Sequence, residues 1–345
     1  MTSSEEIVRR AEELADGLLF PDALAIDAAG TLPVAHLDAL AAAGFFGLAG
    51  PVEVGGLGAS PATANAVVEA FAGGCLATAF VWNQHHGTVR TIGAATPELR
   101  ERWLAPLSRG TVRSGVAFGS LRRTGPPLMR AERDGRAWRL SGVAPWVSGW
   151  GLIDVVHVAA RTADDDVVWG LIDAGGSETL AATGVELSAL NASSTVRLEL
   201  AGLRVEADRV TLIERFAAWQ ARDRAGLRSN GSLALGAARR CARLLEGDGV
   251  GEVASSIEAA VALARTSLDE AGVDELPAAR AGATFAALDA AAALVAATGG
   301  AAAVARTQSE RLFREAMFLL VFGQTAEIKA AQLKRLVTAA RVGGG

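Results

Sequence analysis

The 345-residue sequence predicts an α+β protein made of three consecutive regions. Residues 1–111 show helical periodicity punctuated by glycine. Residues 112–211 contain short β-branched runs separated by glycine, proline and aspartate, and residues 212–345 return to long helices. This order predicts an N-terminal α-helical domain, a middle antiparallel β domain and a C-terminal four-helix domain.

Apolar side chains at helical spacing define the first region. In "EEIVRRAEELADGLL", the residues that share one helix face are Ile7, Ala11, Leu14 and Leu18. The segment "LPVAHLDALAAAGFFGL" is a second helix that ends at Gly44. After the loop "PVEVGGLGAS", Ser60 is predicted to cap a helix that Pro61 opens. The amphipathic segment "ELRERWLAPLSRG" is the last helix of this region.

The middle region consists of short runs with high β propensity. They are "VRSGVAFGS", "AWRLSGVAPWVSG", "DVVHVAART", "VVWGLID" and "VRLELAGLRV". Turn-forming residues lie between them, which is typical of an antiparallel sheet.

One run of the third region, "ATFAALDAAAALVAATGGAAAVA" from Ala283 to Ala305, is long enough to cross a bilayer. Asp289 and the pair Gly299–Gly300 interrupt it, and alanine contributes little to partitioning into hydrocarbon. We therefore predict a helix buried in a bundle and no membrane insertion.

The composition is that of a globular protein, because half of the residues are apolar and a fifth are charged. A net charge of -5 gives no electrostatic reason to bind nucleic acid or an anionic membrane. The arginine pairs Arg122–Arg123 and Arg239–Arg240 are interpreted as solvated surface. Cys75 and Cys241 lie in apolar surroundings, which predicts two buried thiols in a cytoplasmic protein.

Several common catalytic motifs are missing from the sequence. The four histidines and two cysteines form no cluster with zinc spacing, and no G-x-S-x-G nucleophile motif is present. The residues Gly55–Gly58, "GGLG", are too few for a dinucleotide fingerprint and follow no strand. Metal and serine-nucleophile chemistry are therefore not expected.

Trp146 and Ser148, in "APWVSGWG", are predicted to share one face of a strand just before a glycine break. An indole beside a hydroxyl could pack against a planar cofactor. Taken alone, the segment fits equally well a tryptophan that covers the end of the β domain.

Four segments, in order along nearly the whole chain, resemble the acyl-CoA dehydrogenase family. "PVEVGGLGAS" is similar to that family's glycine-rich "yGGlG" loop, and "RDGRAWRLSGVAPWVSGWGLIDVVHVAAR" to its strand pair ending in "W-I-[TS]-N". "STVRLELAGLRVEADRV" resembles the segment that closes the family's β domain. "TGGAAAVARTQSERLFREAMFLLVFGQTAEI" resembles the stretch from "f-G-G-x-G" to "I-y-E-G-T-x-E-I".

The resemblance implies an FAD site made from several segments. Trp146 and Ser148 match positions beside the flavin ring, Thr325 and Glu327 match cofactor contacts at the start of the last helix, and the "TGG" glycines, Gly299 and Gly300, belong to the same implied site. The family's "T-E-P-x-x-G-S-D" segment reads "AFGSLRRTGPPL" here, so its hydroxyl position falls on Gly119 and Ser120 is the neighbouring candidate. The arginine, phenylalanine and glutamine pattern by which a neighbouring subunit holds FAD is missing.

Thr325 is a natural N-cap after the glycine break, and a helix N-terminus offers free N–H donors and a positive dipole end. Such an end suits a pyrophosphate. Glu327 is open to two roles there, because its carboxylate would repel phosphate: capping its own helix or contacting the ribose.

The resemblance also predicts where a catalytic base should lie, and no carboxylate lies there. The family glutamate that removes the α-proton falls on Gly323, 24 residues after Gly299, and Gln324 follows it. The alternative position on an earlier helix falls near Gly226 and Leu227, with Asp223 about one turn too early. A positioned base typically contributes about 10²–10⁴-fold to the rate.

Three functions are consistent with this pattern. The first is a flavin-dependent oxidoreductase that acts on an acyl thioester of CoA or a carrier protein with an altered or borrowed base. The second is a two-component flavin monooxygenase of the same fold, which needs no such base. The third is a base-less subunit or scaffold of a hetero-oligomeric acyl-CoA dehydrogenase. The resemblance further implies a homodimer or homotetramer, or a pairing with a related subunit.

Overall fold

The computed structural model describes residues 2–304 and 306–342. Six α-helices form the N-terminal region; their bounds are α1 Ser4–Leu14, α2 Phe20–Ala29, α3 Val34–Ala42, α4 Pro61–Gly74, α5 Leu76–Gly93 and α6 Pro97–Arg109. Local chemistry sets their ends. The Ser60 hydroxyl accepts a hydrogen bond from the Thr63 N–H at the start of α4, and Pro61 occupies the first helical position.

Eight strands follow: β1 Ser114–Ala117, β2 Met129–Asp134, β3 Ala137–Val147, β4 Val155–Arg161, β5 Asp166–Asp173, β6 Leu180–Gly184, β7 Val196–Val205 and β8 Val210–Arg215. They form one sheet in the order β6-β7-β3-β2-β4-β5-β8, with β1 beside β4. Most pairs are antiparallel, as predicted. Strand β4 is the exception, because it runs parallel to β1 and, over one residue pair, to β2.

Six further helices make up the rest of the described chain: α7 Phe216–Ala225, α8 Leu227–Gly247, α9 Gly251–Glu270, α10 Leu276–Thr298, α11 Gln308–Val321 and α12 Ala326–Val342. Helices α8, α9, α10 and α11 pack in a closed ring of neighbours, which is a four-helix bundle. Helix α12 packs on α10, and α7 connects the sheet to the bundle. The predicted fold class is confirmed.

The described residues contain one helical segment, Leu276–Ala303, that is long and apolar enough to cross a membrane. Its helix α10 contacts α8, α9, α11 and α12, so four helices of the same chain pack around it. This packing agrees with the predicted place of the helix in a bundle, but only 33% of its most apolar stretch is buried, so the predicted burial is not complete.

The N-terminal helices join the bundle through a close crossing of α4 and α8. A Cβ atom at Gly236 would lie 2.1 Å from the Glu69 carbonyl oxygen, so only glycine allows this approach. The buried Glu69 carboxylate beside the crossing accepts a hydrogen bond of 2.7 Å from Arg265 of α9. The two regions thus share one large apolar core rather than touching at a hydrated surface.

The predicted buried thiols are confirmed, since Cys75 and Cys241 are both free and buried. All four histidines are buried, and both ring nitrogens of His85 are hydrogen-bonded. The His85 Nε2 atom lies 3.0 Å from the Leu107 carbonyl oxygen, and its Nδ1 atom accepts from the Ser114 N–H. Burial lowers the pKa of His85 to about 4, and burial with the Arg222 charge lowers the pKa of His157 to about 3.

We expect the protein to lose stability as the pH falls from about 6.5 towards 4. A buried neutral histidine binds its proton less readily in the folded than in the unfolded state, so folding is favoured above the unfolded pKa and disfavoured below it. Each such histidine contributes a slope of up to about 1.4 kcal/mol per pH unit in this window. Urea unfolding at several pH values measures the slope.

The matched variants are His157→Gln and His85→Gln, which keep a hydrogen-bonding side chain but do not titrate. Each should flatten the pH dependence, and the double variant should flatten it further. An unchanged slope in both single variants would contradict the assignment.

Candidate functional site

The break between α11 and α12 is a turn at residues 322–325. The Phe322 ring packs edge-on against Phe80 of α5, with ring centroids 4.9 Å apart, which fixes the end of α11. Gly323 follows with φ of +59°, a left-handed conformation that favours glycine. The Thr325 hydroxyl then accepts a hydrogen bond of 3.3 Å from the Ile328 N–H, so Thr325 is the predicted N-cap of α12.

The Gln324 side chain forms hydrogen bonds that link the end of α11 to α12. Its Nε2 atom donates to Gln332 Oε1 at 2.8 Å, and Gln332 donates in turn to the Leu320 carbonyl oxygen at 2.8 Å. These bonds satisfy carbonyl groups at the end of α11 that the helix itself leaves open.

An arginine from the β domain faces Gly323. Arg122 ends a short 3₁₀ helix, Gly119–Arg122, and a Cβ atom at residue 323 would lie 3.0 Å from its Nη1 atom. The Arg122 Nε and Nη2 atoms donate to the Asp223 carboxylate at 2.8 and 2.7 Å. The residue at which the resemblance implies a catalytic carboxylate therefore faces a guanidinium group.

The Arg122–Asp223 pair is largely buried, with side chains 14% and 13% exposed. The sequence-based interpretation of Arg122 as solvated surface was therefore wrong. It failed because Asp223, the charge that compensates Arg122, lies about a hundred residues away along the chain. Asp223 is the carboxylate nearest to the alternative base position, but its ion pair with Arg122 already occupies it.

A second arginine lies at the end of α11. Arg280 of α10 is 2% exposed, and its Nη2 atom is 3.5 Å from the Leu319 carbonyl oxygen. Its Nη1 atom has no hydrogen-bond partner among the described residues. Burial and the nearby Arg122 charge lower the pKa of Arg280 to about 10. No sequence motif pointed to this residue, because it lies in an alanine-rich helix.

Ser120 lies two residues before Arg122 and is buried. Its hydroxyl has no hydrogen-bond partner in the described part of the chain. The contact between Arg122 and Gly323 brings the Ser120 segment next to the turn that holds Thr325. Two of the segments predicted to form the site therefore meet.

Trp146 and Ser148 lie in different environments, although the sequence predicts a shared face. Trp146 is 60% exposed near the end of β3. Ser148, just beyond the strand, is buried, and its hydroxyl lies 2.7 Å from Thr195 Oγ1. An irregularity in the pairing of β3 with β7 between Ala144 and Val147 breaks the alternation on which the prediction relied.

Glu327 caps its own helix. Its own backbone N–H and the Thr325 hydroxyl hold the pKa of its carboxyl below the usual value, and Arg224 adds to this effect. The Arg224 Nη2 atom donates to Glu327 Oε1 at 3.0 Å, and Arg224 also pairs with Asp274. The sequence left two roles open for Glu327, capping its helix or contacting a ribose, and the structure shows the capping contact.

Gly299 ends α10 with a positive φ of 65°, and Gly300 follows it in a short 3₁₀ turn. A Cβ atom at either position would meet no atom within 4 Å, so the space beside this turn is open. No described hydrogen bond links the pair to Gly323 or Thr325.

We expect the removal of only one charge of the Arg122–Asp223 pair to lower the unfolding free energy markedly. Asp223→Ala would leave the Arg122 guanidinium largely buried without its partner, at a cost of about 3 kcal/mol in unfolding free energy. The double variant Arg122→Met with Asp223→Leu removes both charges and should lie within about 1 kcal/mol of the unmodified chain. Urea unfolding at pH 7 measures both.

Arg102 and Asp208 form an exposed ion pair that serves as the control. Asp208→Ala should change the unfolding free energy by less than about 1 kcal/mol. If Asp223→Ala lowered the unfolding free energy by as little, the buried pair would not be required for stability.

Comparison with known proteins agrees with this architecture. Residues 2–111 match the family model described as acyl-CoA dehydrogenase, N-terminal domain. The chain is 26% identical over 157 residues to the mitochondrial short-chain specific acyl-CoA dehydrogenase of Bos taurus, a match that covers 44% of this chain and 38% of that protein. The match thus spans well under half of the curated relative's length.

Two solved structures extend the similarity in fold to nearly the whole chain. Butyryl-CoA dehydrogenase from Megasphaera elsdenii superposes with a TM-score of 0.81 at 16% identity, covering 97% of this chain and 98% of that chain. Glutaryl-CoA dehydrogenase from Mycobacterium smegmatis in complex with FADH2 gives 0.82 at 19% identity, covering 96% and 94%. The chain is therefore acyl-CoA dehydrogenase-like: residues 2–111 match that family's N-terminal domain, and the whole chain has its three-part fold.

Proposed function

We propose that this protein is a flavin-dependent oxidoreductase that acts on an acyl thioester of CoA or a carrier protein. The observation that carries the proposal is the meeting of the Ser120 segment with the α11–α12 turn at the Arg122–Gly323 contact. These are two of the segments at which the family resemblance places the cofactor. Relatives of this fold include a glutaryl-CoA dehydrogenase in complex with FADH2.

The residues fit FAD as the cofactor. The buried Ser120 hydroxyl lacks a partner that a cofactor oxygen or nitrogen would supply, and the exposed Trp146 indole offers a flat surface for stacking. Thr325 and the first turn of α12 offer N–H donors. Because the Glu327 carboxylate lies at the same helix end, we assign these donors to a neutral cofactor oxygen rather than to the pyrophosphate. When bound, FAD would accept a hydride from the substrate.

Residue 323 supplies no proton acceptor in this proposal. Gly323 has no side chain, Gln324 is bonded to Gln332, and Asp223 is paired with Arg122. This favours slow α-proton removal, since a positioned base contributes about 10²–10⁴-fold. It also favours a second candidate function, a two-component flavin monooxygenase, because that chemistry requires no base at this position.

The decisive measurement is the absorbance spectrum of the purified, FAD-reconstituted protein under anaerobic conditions. We expect a bound flavin band that bleaches slowly on addition of acyl-CoA thioesters of different chain lengths. The variants Ser120→Ala and Thr325→Ala should weaken FAD binding by about tenfold each if they donate hydrogen bonds to it.

Each other outcome selects a different function. A flavin band that no thioester bleaches, with product formed only after addition of a flavin reductase and oxygen, supports the monooxygenase. A protein that stays colourless after reconstitution supports the scaffold. Co-purification with a related subunit that carries the missing glutamate supports the unequal pair.

We also propose that the protein assembles as a homo-oligomer through α9 and α10. These helices line an open groove of about 860 Å³ on the bundle surface, and Leu263, beside it, is 70% exposed. The walls are mainly apolar and carry few charges. Contact with the same face of a second copy would therefore remove apolar surface from water.

Leu263→Asp should lower the molar mass measured by light scattering towards that of one chain, because it places a charge in the apolar contact. Val304→Asp, at an exposed apolar residue outside the groove, is the matched control and should leave the mass unchanged. A monomeric unmodified protein would contradict the proposal.

A further inference from the structure

Two arginine side chains lie at the C-terminal end of α11: Arg122 faces Gly323, and Arg280 contacts the Leu319 carbonyl oxygen one helical turn earlier. Arg122 uses Nε and Nη2 for Asp223, which leaves Nη1 directed at residue 323 without a described hydrogen bond. Arg280 leaves its own Nη1 without a partner in the described part of the chain, at 2% exposure. Asp223 thus compensates Arg122, whereas Arg280 has no described bond to a carboxylate.

The helix end beside these arginines offers only partial compensation. The Leu319 carbonyl oxygen lies 3.5 Å from Arg280 Nη2, a long contact to a neutral acceptor at the negative end of the α11 dipole. A buried cation without a full partner is unfavourable, and an anionic ligand is the usual way in which a protein compensates it. Leu319 lies one helical turn before Gly323, so Arg280 and Arg122 are both at the C-terminal end of α11.

Gly323 is part of this arrangement and not only the position from which the implied glutamate is missing. A Cβ atom at 323 would lie 3.0 Å from Arg122 Nη1, a tight contact, and the φ of +59° disfavours any residue with a Cβ. Glycine therefore keeps the Nη1 donor uncovered. A carboxylate restored here would pair with Arg122 instead of acting as a free base.

We propose that Arg122 and Arg280 form a binding site for a carboxylate group beside Gly323, and that the acyl thioester of the proposed function carries this carboxylate on its acyl chain. Two uncommitted guanidinium nitrogens match the two oxygens of a carboxylate, and charge-assisted hydrogen bonds of this type are the strong ones in proteins. That the ligand is a thioester rests on the proposed function. That it carries a carboxylate rests on the two arginines. It makes Arg122 a residue that determines substrate specificity.

Calorimetric titration with two four-carbon thioesters, succinyl-CoA and butyryl-CoA, tests the proposal without requiring turnover. We expect succinyl-CoA to bind at least about tenfold more tightly, since only its acyl chain carries a free carboxylate. The double variant Arg122→Met with Asp223→Leu should abolish the preference. Asp223→Asn should increase it, because it removes the carboxylate that competes for Arg122.

Arg102→Gln, at the exposed pair with Asp208, is the control and should leave the preference unchanged. Equal affinity for the two thioesters in the unmodified protein overturns the proposal, and so does a double variant that weakens both equally. If neither thioester binds but free succinate does, the carboxylate site stands and the thioester function falls. If none of the three binds, both fall.

Discussion

The ion pair between Arg122 and Asp223 connects the parts of this protein on which the site depends. Arg122 comes from the loop that follows β1, Asp223 from the last turn of α7, and the pair packs against the glycine between α11 and α12. Largely removed from water, neither charge is stable without the other. The pair thus fixes the β domain against the end of the bundle where the candidate site lies.

Helix α7 holds this region from two sides through adjacent residues. Asp223 binds Arg122 from the β domain, while Arg224 binds Glu327 at the start of α12 and Asp274 before α10. Because both contacts come from one helical turn, a shift of α7 would move the Arg122 guanidinium and the α12 N-terminus together. The exposed Arg224 bonds contribute little energy by themselves, so the buried pair is the stronger constraint.

The charge at the site differs in sign from what the family resemblance implies. A glutamate at residue 323 would present a proton acceptor, whereas this chain presents a guanidinium nitrogen, which can only donate a hydrogen bond. Such a group can orient an anionic or carbonyl oxygen but cannot remove a proton. In the proposed function, substrate choice and the route of the α-proton are therefore separate questions, and the two arginines bear on the first.

The sequence by itself determined the order of helices, strands and helices, the buried thiols and the Thr325 cap, because these follow from local periodicity, polarity and backbone preference. A count along the chain also predicts that Gly323 occupies the base position implied by the resemblance. Only the tertiary structure decided that Arg122 is largely buried, that Asp223 pairs with it and that Arg280 Nη1 has no hydrogen-bond partner among the described residues. Those properties depend on charges brought together from positions far apart in the chain, and burial, which no local pattern encodes, sets their energy.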